Sequence, residues 1–169
     1  MDTLRRRGWL ILLVFAFTAR ALMAQDSALV LSGAELDRVV PRGFYFQGQS
    51  AATQMRNAAA ARFGSNRFVI AGLVDTAGYA ADVREKYQGF LICDSPTMIG
   101  GSELATGAYG FGFSNDGKFL VLDLSGKEIL SVASVRDDAL KGARPLMMTK
   151  AADGLRLYGG KSYVTIAVK

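Results

Sequence analysis

The chain has no histidine, one cysteine and three prolines in 169 residues. Without an imidazole to take the proton, neither a Ser-His-Asp nor a Cys-His nucleophile can be assembled. The same absence, with a single thiol, removes zinc sites built on imidazole and thiolate ligands. Cys93 has no partner for an intramolecular disulfide. It closes the apolar run "FLIC", where a thiol behaves as a small buried hydrophobe. A phosphate cradle of the G-x-x-x-x-G-K-[ST] kind is also missing, so "DTAG" at 75 to 78 has nothing to act with as a GTPase loop. Neither "SNDG" nor "DLSGKE" has the alternating oxygen ligands of a calcium loop. Carboxylate, lysine, tyrosine and serine chemistry remains; no cofactor and no metal is expected.

What is present begins with an address. Arg5, Arg6 and Arg7 precede an apolar run from Trp9 to Phe17, and Ala21-Leu22-Met23-Ala24 supplies small residues before Gln25. This is the pattern of a secretory signal peptide over residues 1–24, cleaved after Ala24. Arg20 breaks the apolar stretch short of the roughly 20 residues that a membrane-spanning helix needs. Arg6-Arg7-Gly8-Trp9-Leu10 is similar to a twin-arginine signal, which leaves the export route open. Cys93 lies far from the leader, so the chain lacks the cysteine of a lipid-anchoring site. Removing 24 of the 169 residues leaves 145, expected to form one exported domain, periplasmic or extracellular. The leader takes four of the 20 basic residues and one of the 15 acidic ones, leaving 16 against 14, a net charge of +2. The remainder carries no nucleic-acid footprint.

Ser32-Gly33-Ala34-Glu35 has the spacing of a capping box, and it predicts a helix through Leu36, Val39 and Val40 that stops before Pro41. From "GFYF" onward the pattern is of short strands and glycine turns. "RFVIAGLV" at 67 to 74 and "YQGFLIC" at 87 to 93 are apolar throughout and read as strands buried on both faces. Between them Tyr79, Val83 and Tyr87 fall four apart among charged residues, which suits a helical turn. "TMIGGSEL", "SNDGK" and "LSGK" predict three successive hairpins in a meander. Asp137 to Lys141 reads as a second helical break, and the chain ends in another meander with turns at Asp153-Gly154 and Gly159-Gly160. Residues 50–63 are ambiguous. Their alanines favour a helix, while the alternation of Met55, Asn57, Ala59, Ala61 and Phe63 favours a strand, toward which the balance tips. The fold class is mainly β: an antiparallel sandwich or small barrel of eight or nine short strands with one or two short helices. An outer-membrane barrel fits poorly, because such barrels need strands of roughly 9 to 11 alternating residues.

Three places carry candidate chemistry. "LVDT" at 73 to 76 resembles the strand that brings the Asp-Thr-Gly triplet into the active site of retropepsin-like aspartic proteases, which would make Asp75 catalytic. The resemblance is confined to that stretch. Ala77 stands where the family has glycine, and the alternative is a turn closed by the oxygens of Asp75 and Thr76. Asp116, Asp123 and Glu128 flank one hairpin, as a general acid/base pair or as solvated turn residues. In "TGAYGFGF", Tyr109, Phe111 and Phe113 share one face of a strand, and Gly110 and Gly112 share the other with Ala108. The aromatic face is either core or a wall on which a ligand stacks; the glycine face admits a helix, another strand or a flat ligand close to the backbone.

The sequence therefore points to an exported, soluble, non-catalytic binding module for an apolar or aromatic small molecule, held by Tyr109, Phe111, Phe113, Gly110 and Gly112. The alternatives are a cell-envelope module that binds another protein through an edge or loop, and a carboxylate-based hydrolase.

Overall fold

The computed structural model describes residues 28–152 and 154–169. The leader expected over residues 1–24, and Asp153 of one predicted turn, lie outside the described residues. The chain is mainly β. In order it forms β1 (Ala28–Val30), α1 (Gly33–Val39), β2 (Gly43–Phe46), β3 (Gln49–Phe63), β4 (Arg67–Val74), α2 (Ala81–Arg84), β5 (Gly89–Cys93), β6 (Thr97–Ile99) and β7 (Ser102–Leu104). There follow β8 (Gly107–Phe113), β9 (Lys118–Leu122), β10 (Glu128–Ala133), β11 (Val135–Arg136), β12 (Met147–Ala151), β13 (Gly154–Gly159) and β14 (Ser162–Val168). The described residues form fourteen strands, more than the eight or nine expected, because strands as short as β1 and β11 leave little periodicity to read.

Two antiparallel sheets stack as a sandwich. The larger runs β1-β3-β4-β5-β8-β9-β10, with β2 on β3; the smaller runs β12-β13-β14-β6-β7, with β11 on β14. Successive side chains of a strand point to opposite faces, and the register sorts them. Val69, Ala71, Leu91, Cys93, Phe111, Phe119 and Val121 face inward, against Ile99, Leu155, Leu157, Val164 and Ile166 of the smaller sheet.

The outer face of the larger sheet is covered as well, which explains the continuous apolar runs of β4 and β5. A second core of Phe44, Phe46, Ile70, Val74, Tyr79, Tyr87, Phe90 and Leu122 lies there, beneath α1, α2 and the β2–β3 hairpin. That hairpin is a strap. Between Thr53 and Ala58 the register of β3 on β4 slips, so that five steps along β3 match two along β4. A bulge of this kind bends a strand, and it turns the first half of β3 out over the sheet. Phe44 of the strap stacks on Phe90, and Phe46 stacks on Tyr87 with ring centroids 3.8 Å apart. At the strap's tip Gln47 has a φ of 48°, a conformation that non-glycine residues seldom adopt. It is held by its backbone N–H donating to Leu124 O (3.0 Å) and its Nε2 to Ser125 O (3.1 Å).

The ambiguous residues 50–63 are strand. They pair with β2 at their start and with β4 and β1 toward their end, and alternate alanines fill both cores, so the tertiary setting overrides helix propensity. The helix at Ser32 forms, but the Ser32 side chain makes no capping bond. The break at Asp137 is a single turn and not a helix: Leu140 N–H donates to Asp137 O, while the Asp137 carboxylate accepts from Tyr158 Oη. The three hairpins do not form one meander. β6 and β7 pair in the smaller sheet beside β14, and the chain then returns to lay β8 against β5.

Candidate functional site

Strand β8 carries the residues that the sequence singled out, and both of its faces are occupied by protein. Phe111 is fully buried between the sheets, stacked on Phe119 at 5.5 Å and meeting the edge of Phe113 at 6.3 Å. Tyr109 is partly buried against the same core and donates its hydroxyl to Ala105 O (2.9 Å). On the opposite face a Cβ at Gly110 would lie 2.6 Å from the Phe46 ring and 3.0 Å from Tyr87, and one at Gly112 would lie 2.2 Å from Lys86 O. Gly110 is therefore required by the strap and Tyr87, and Gly112 by the backbone of Lys86, two residues past α2. The strand expected to hold a ligand is filled on one side by core aromatics and on the other by the strap, so Phe111, Gly110 and Gly112 present no ligand surface. Of the three aromatics, Phe113 borders a cleft.

That cleft, about 480 Å³ in volume, opens where the ends of the two sheets meet α2. Leu73 of β4, Phe113 of β8 and Pro145 give it apolar surface, with Val74 and Tyr87 buried behind them. Gln54, Thr76, Gln88, Ser114, Asn115 and Ser162 add amides and hydroxyls, and Arg84 is the charged residue in its wall. Gln88 is the device that fixes the site. Its Nε2 donates to Phe113 O (3.0 Å) and its Oε1 accepts from Phe113 N–H (2.9 Å), so one side chain grips the end of β8 as a strand would. Gln54 is oriented by donating from Nε2 to Val74 O (3.0 Å). Arg84 is exposed and has no carboxylate within ion-pair distance among the described residues.

The Tyr87 hydroxyl is buried without a hydrogen-bond partner among the described residues. Tyr79 acts on it electrostatically, but the Tyr79 hydroxyl lies within bonding distance of Phe46 O (3.2 Å) and Gln49 O (3.3 Å) and takes those carbonyls as its acceptors. Burial first, and Tyr79 second, raises the Tyr87 pKa above the ordinary tyrosine value.

The carboxylates serve turns. Asp75 Oδ1 accepts from Ala77 N–H (3.1 Å), closing a turn as the alternative to the protease resemblance expects of its side chain, while Thr76 takes part through its backbone carbonyl, which accepts from Tyr79 N–H. Asp116 accepts from Ser114 Oγ and pairs with Lys118 at 2.9 Å. Asp123 accepts from the Ser125 hydroxyl and from the N–H groups of Ser125 and Lys127. Both are exposed and held below the usual carboxylate range, Asp116 chiefly by Lys118 and Asp123 chiefly by Ser125. Cys93 is buried, and burial pushes its thiol up to about 11.

Sequence reasoning missed Gln54, Arg84, Gln88, Asn115 and Ser162. They come from separate segments and carry no motif; only the topology brings them to one rim. Among the described residues no helix is long and apolar enough to cross a membrane. No protein-family model, curated protein or solved structure matches the chain.

Proposed function

We propose that the chain is an exported, non-catalytic binding module for a small molecule with an apolar or aromatic body, and that it binds in the cleft beside Phe113. The supporting observation is the cleft itself. At about 480 Å³ it falls within the span of small-ligand sites, roughly 300–1,000 Å³. Its wall is rich in polar groups, some of them already oriented by the fold, with apolar surface at Leu73, Phe113 and Pro145; convergent polar groups of this kind give such sites their specificity. Export rests on the signal-peptide pattern of residues 1–24. The test is native mass spectrometry of residues 25–169, purified gently from an exported preparation and compared with the denatured mass. A reproducible non-covalent adduct that is lost in Phe113→Ala supports the reading. A bare mass that stays bare when apolar metabolite extracts are added sinks it.

A second reading, an envelope module that binds another protein, is favoured by Tyr45, Leu124 and Ile129. These large apolar side chains are exposed on the strap and on the β9–β10 hairpin to which Gln47 ties it. Crosslinking in periplasmic extracts should then capture one reproducible partner, lost in Ile129→Lys.

A further inference from the structure

Resting on the cleft reading above, we infer that the ligand is an amphipathic anion whose apolar body lies along Phe113 and whose single negative group is taken by Arg84. The charges around the cleft lead to this. Among the described residues its lining contains one guanidinium and no carboxylate. Asp116, the acid next along the chain from Asn115, is engaged by Lys118 at 2.9 Å and by Ser114, so its charge is locally balanced. Arg84 closes the four-residue turn α2, anchored by its own N–H to Ala80 O (3.0 Å), and no described acid holds its side chain.

A guanidinium presents a planar fork of donors that matches a carboxylate or sulfonate, and charge-assisted bonds of this kind are about twice as strong as neutral ones. The neighbouring side chains complete such a site. Thr76, Ser114, Asn115 and Ser162 offer hydroxyl and amide groups, and Leu73, Phe113 and Pro145 offer apolar surface for the ligand's body. A neutral ligand of the same body would leave the cation unused, and a cationic one would meet no counter-charge in the wall.

The experiment titrates the full mature chain with two fluorescent probes of one skeleton: 8-anilinonaphthalene-1-sulfonate, which carries the anion, and N-phenyl-1-naphthylamine, which lacks it. The inference expects saturable 1:1 binding of both. The sulfonate should bind about tenfold tighter, the scale of one charge-assisted hydrogen bond, and its advantage should shrink as salt rises. Arg84→Gln should erase that advantage and leave the amine's affinity unchanged; Arg84→Lys should restore part of it. Equal binding of the two probes overturns the anion inference and leaves the cleft reading intact. A sulfonate preference that survives Arg84→Gln also overturns it. Failure of both probes to bind overturns the cleft reading itself. Arg84 is exposed, so its replacement spares the core, and an unchanged denaturation curve confirms that each variant is folded.

Discussion

Replacing Gly112 by alanine asks whether the outer face of β8 is covered, because the two answers differ in sign. Glycine inside a strand costs stability relative to alanine by roughly 0.5–1 kcal/mol, through the freedom it loses on folding. On an open face Gly112→Ala is therefore stabilising by about that amount. In this fold the added Cβ would lie 2.2 Å from Lys86 O and 2.8 Å from Lys86 C. These atoms belong to the backbone and cannot rotate away. They are pinned from both sides, since Lys86 and Tyr87 donate their N–H groups to Val83 O, and Gln88 donates its own to Phe111 O. Ordinary contact requires the segment to retreat by about 1 Å, and overpacking of this kind typically costs 1–3 kcal/mol. Net of the propensity gain, Gly112→Ala should be destabilised by about 1–2 kcal/mol. Chemical denaturation at unchanged m-value measures it. Gly78→Ala is the control, for its Cβ would meet nothing closer than Gln49 Oε1 at 3.5 Å. Stability equal to or above the parent in Gly112→Ala would refute the packing of the Lys86 segment on this face.

Other consequences are as direct. Phe111→Ala should cost about 3–5 kcal/mol by denaturation, as loss of a sealed core aromatic does, while Phe113→Ala should cost less and act on ligand binding. Tyr87→Phe should leave stability unchanged or raise it by about 1 kcal/mol, since it removes a buried hydroxyl that has no hydrogen-bond partner within bonding geometry among the described residues. Cys93 should resist alkylation at pH 8 in the folded protein and react on unfolding: burial that raises its pKa to about 11 leaves on the order of a hundredfold less thiolate than an unperturbed cysteine has. Asp123 titrates lower in the folded state than in the unfolded chain. Its contribution to stability is therefore complete above about pH 4 and is lost as the pH falls through its folded pKa. In a carboxyl-carbon NMR titration, Ser125→Ala should move that pKa back toward the ordinary value.

What was legible in the sequence follows from the range of each signal. The hairpin at Gly100-Gly101 could be read because both glycines take positive φ, 54° and 88°, which neighbouring residue types announce. Burial of β4 and β5 on two faces was legible from their unbroken apolar runs. The identity of the second cover was not, because Phe44 and Phe46 reach Phe90 and Tyr87 only through the bulge after Thr53, and nothing local marks that slip. The same distance hid the site. An alternating aromatic strand looks alike whether its partner is a ligand or Phe119, so the sequence could not tell the buried face of β8 from a ligand wall; of that strand's aromatics, Phe113 lines the cleft. Gln88 and Arg84 acquire their roles from residues some 25 positions further along, or in the opposite sheet.

Binding at the end of the sandwich, and not on the faces of β8, is tested most directly by an amide-resolved NMR titration with 8-anilinonaphthalene-1-sulfonate. Saturable shifts grouped at Arg84, Gln88, Phe113 to Asn115 and Ser162, with Gly110 and Phe111 unmoved, are the predicted result. Shifts centred on Tyr109 to Phe111, on the exposed Tyr45 and Ile129, or scattered without saturation would contradict it.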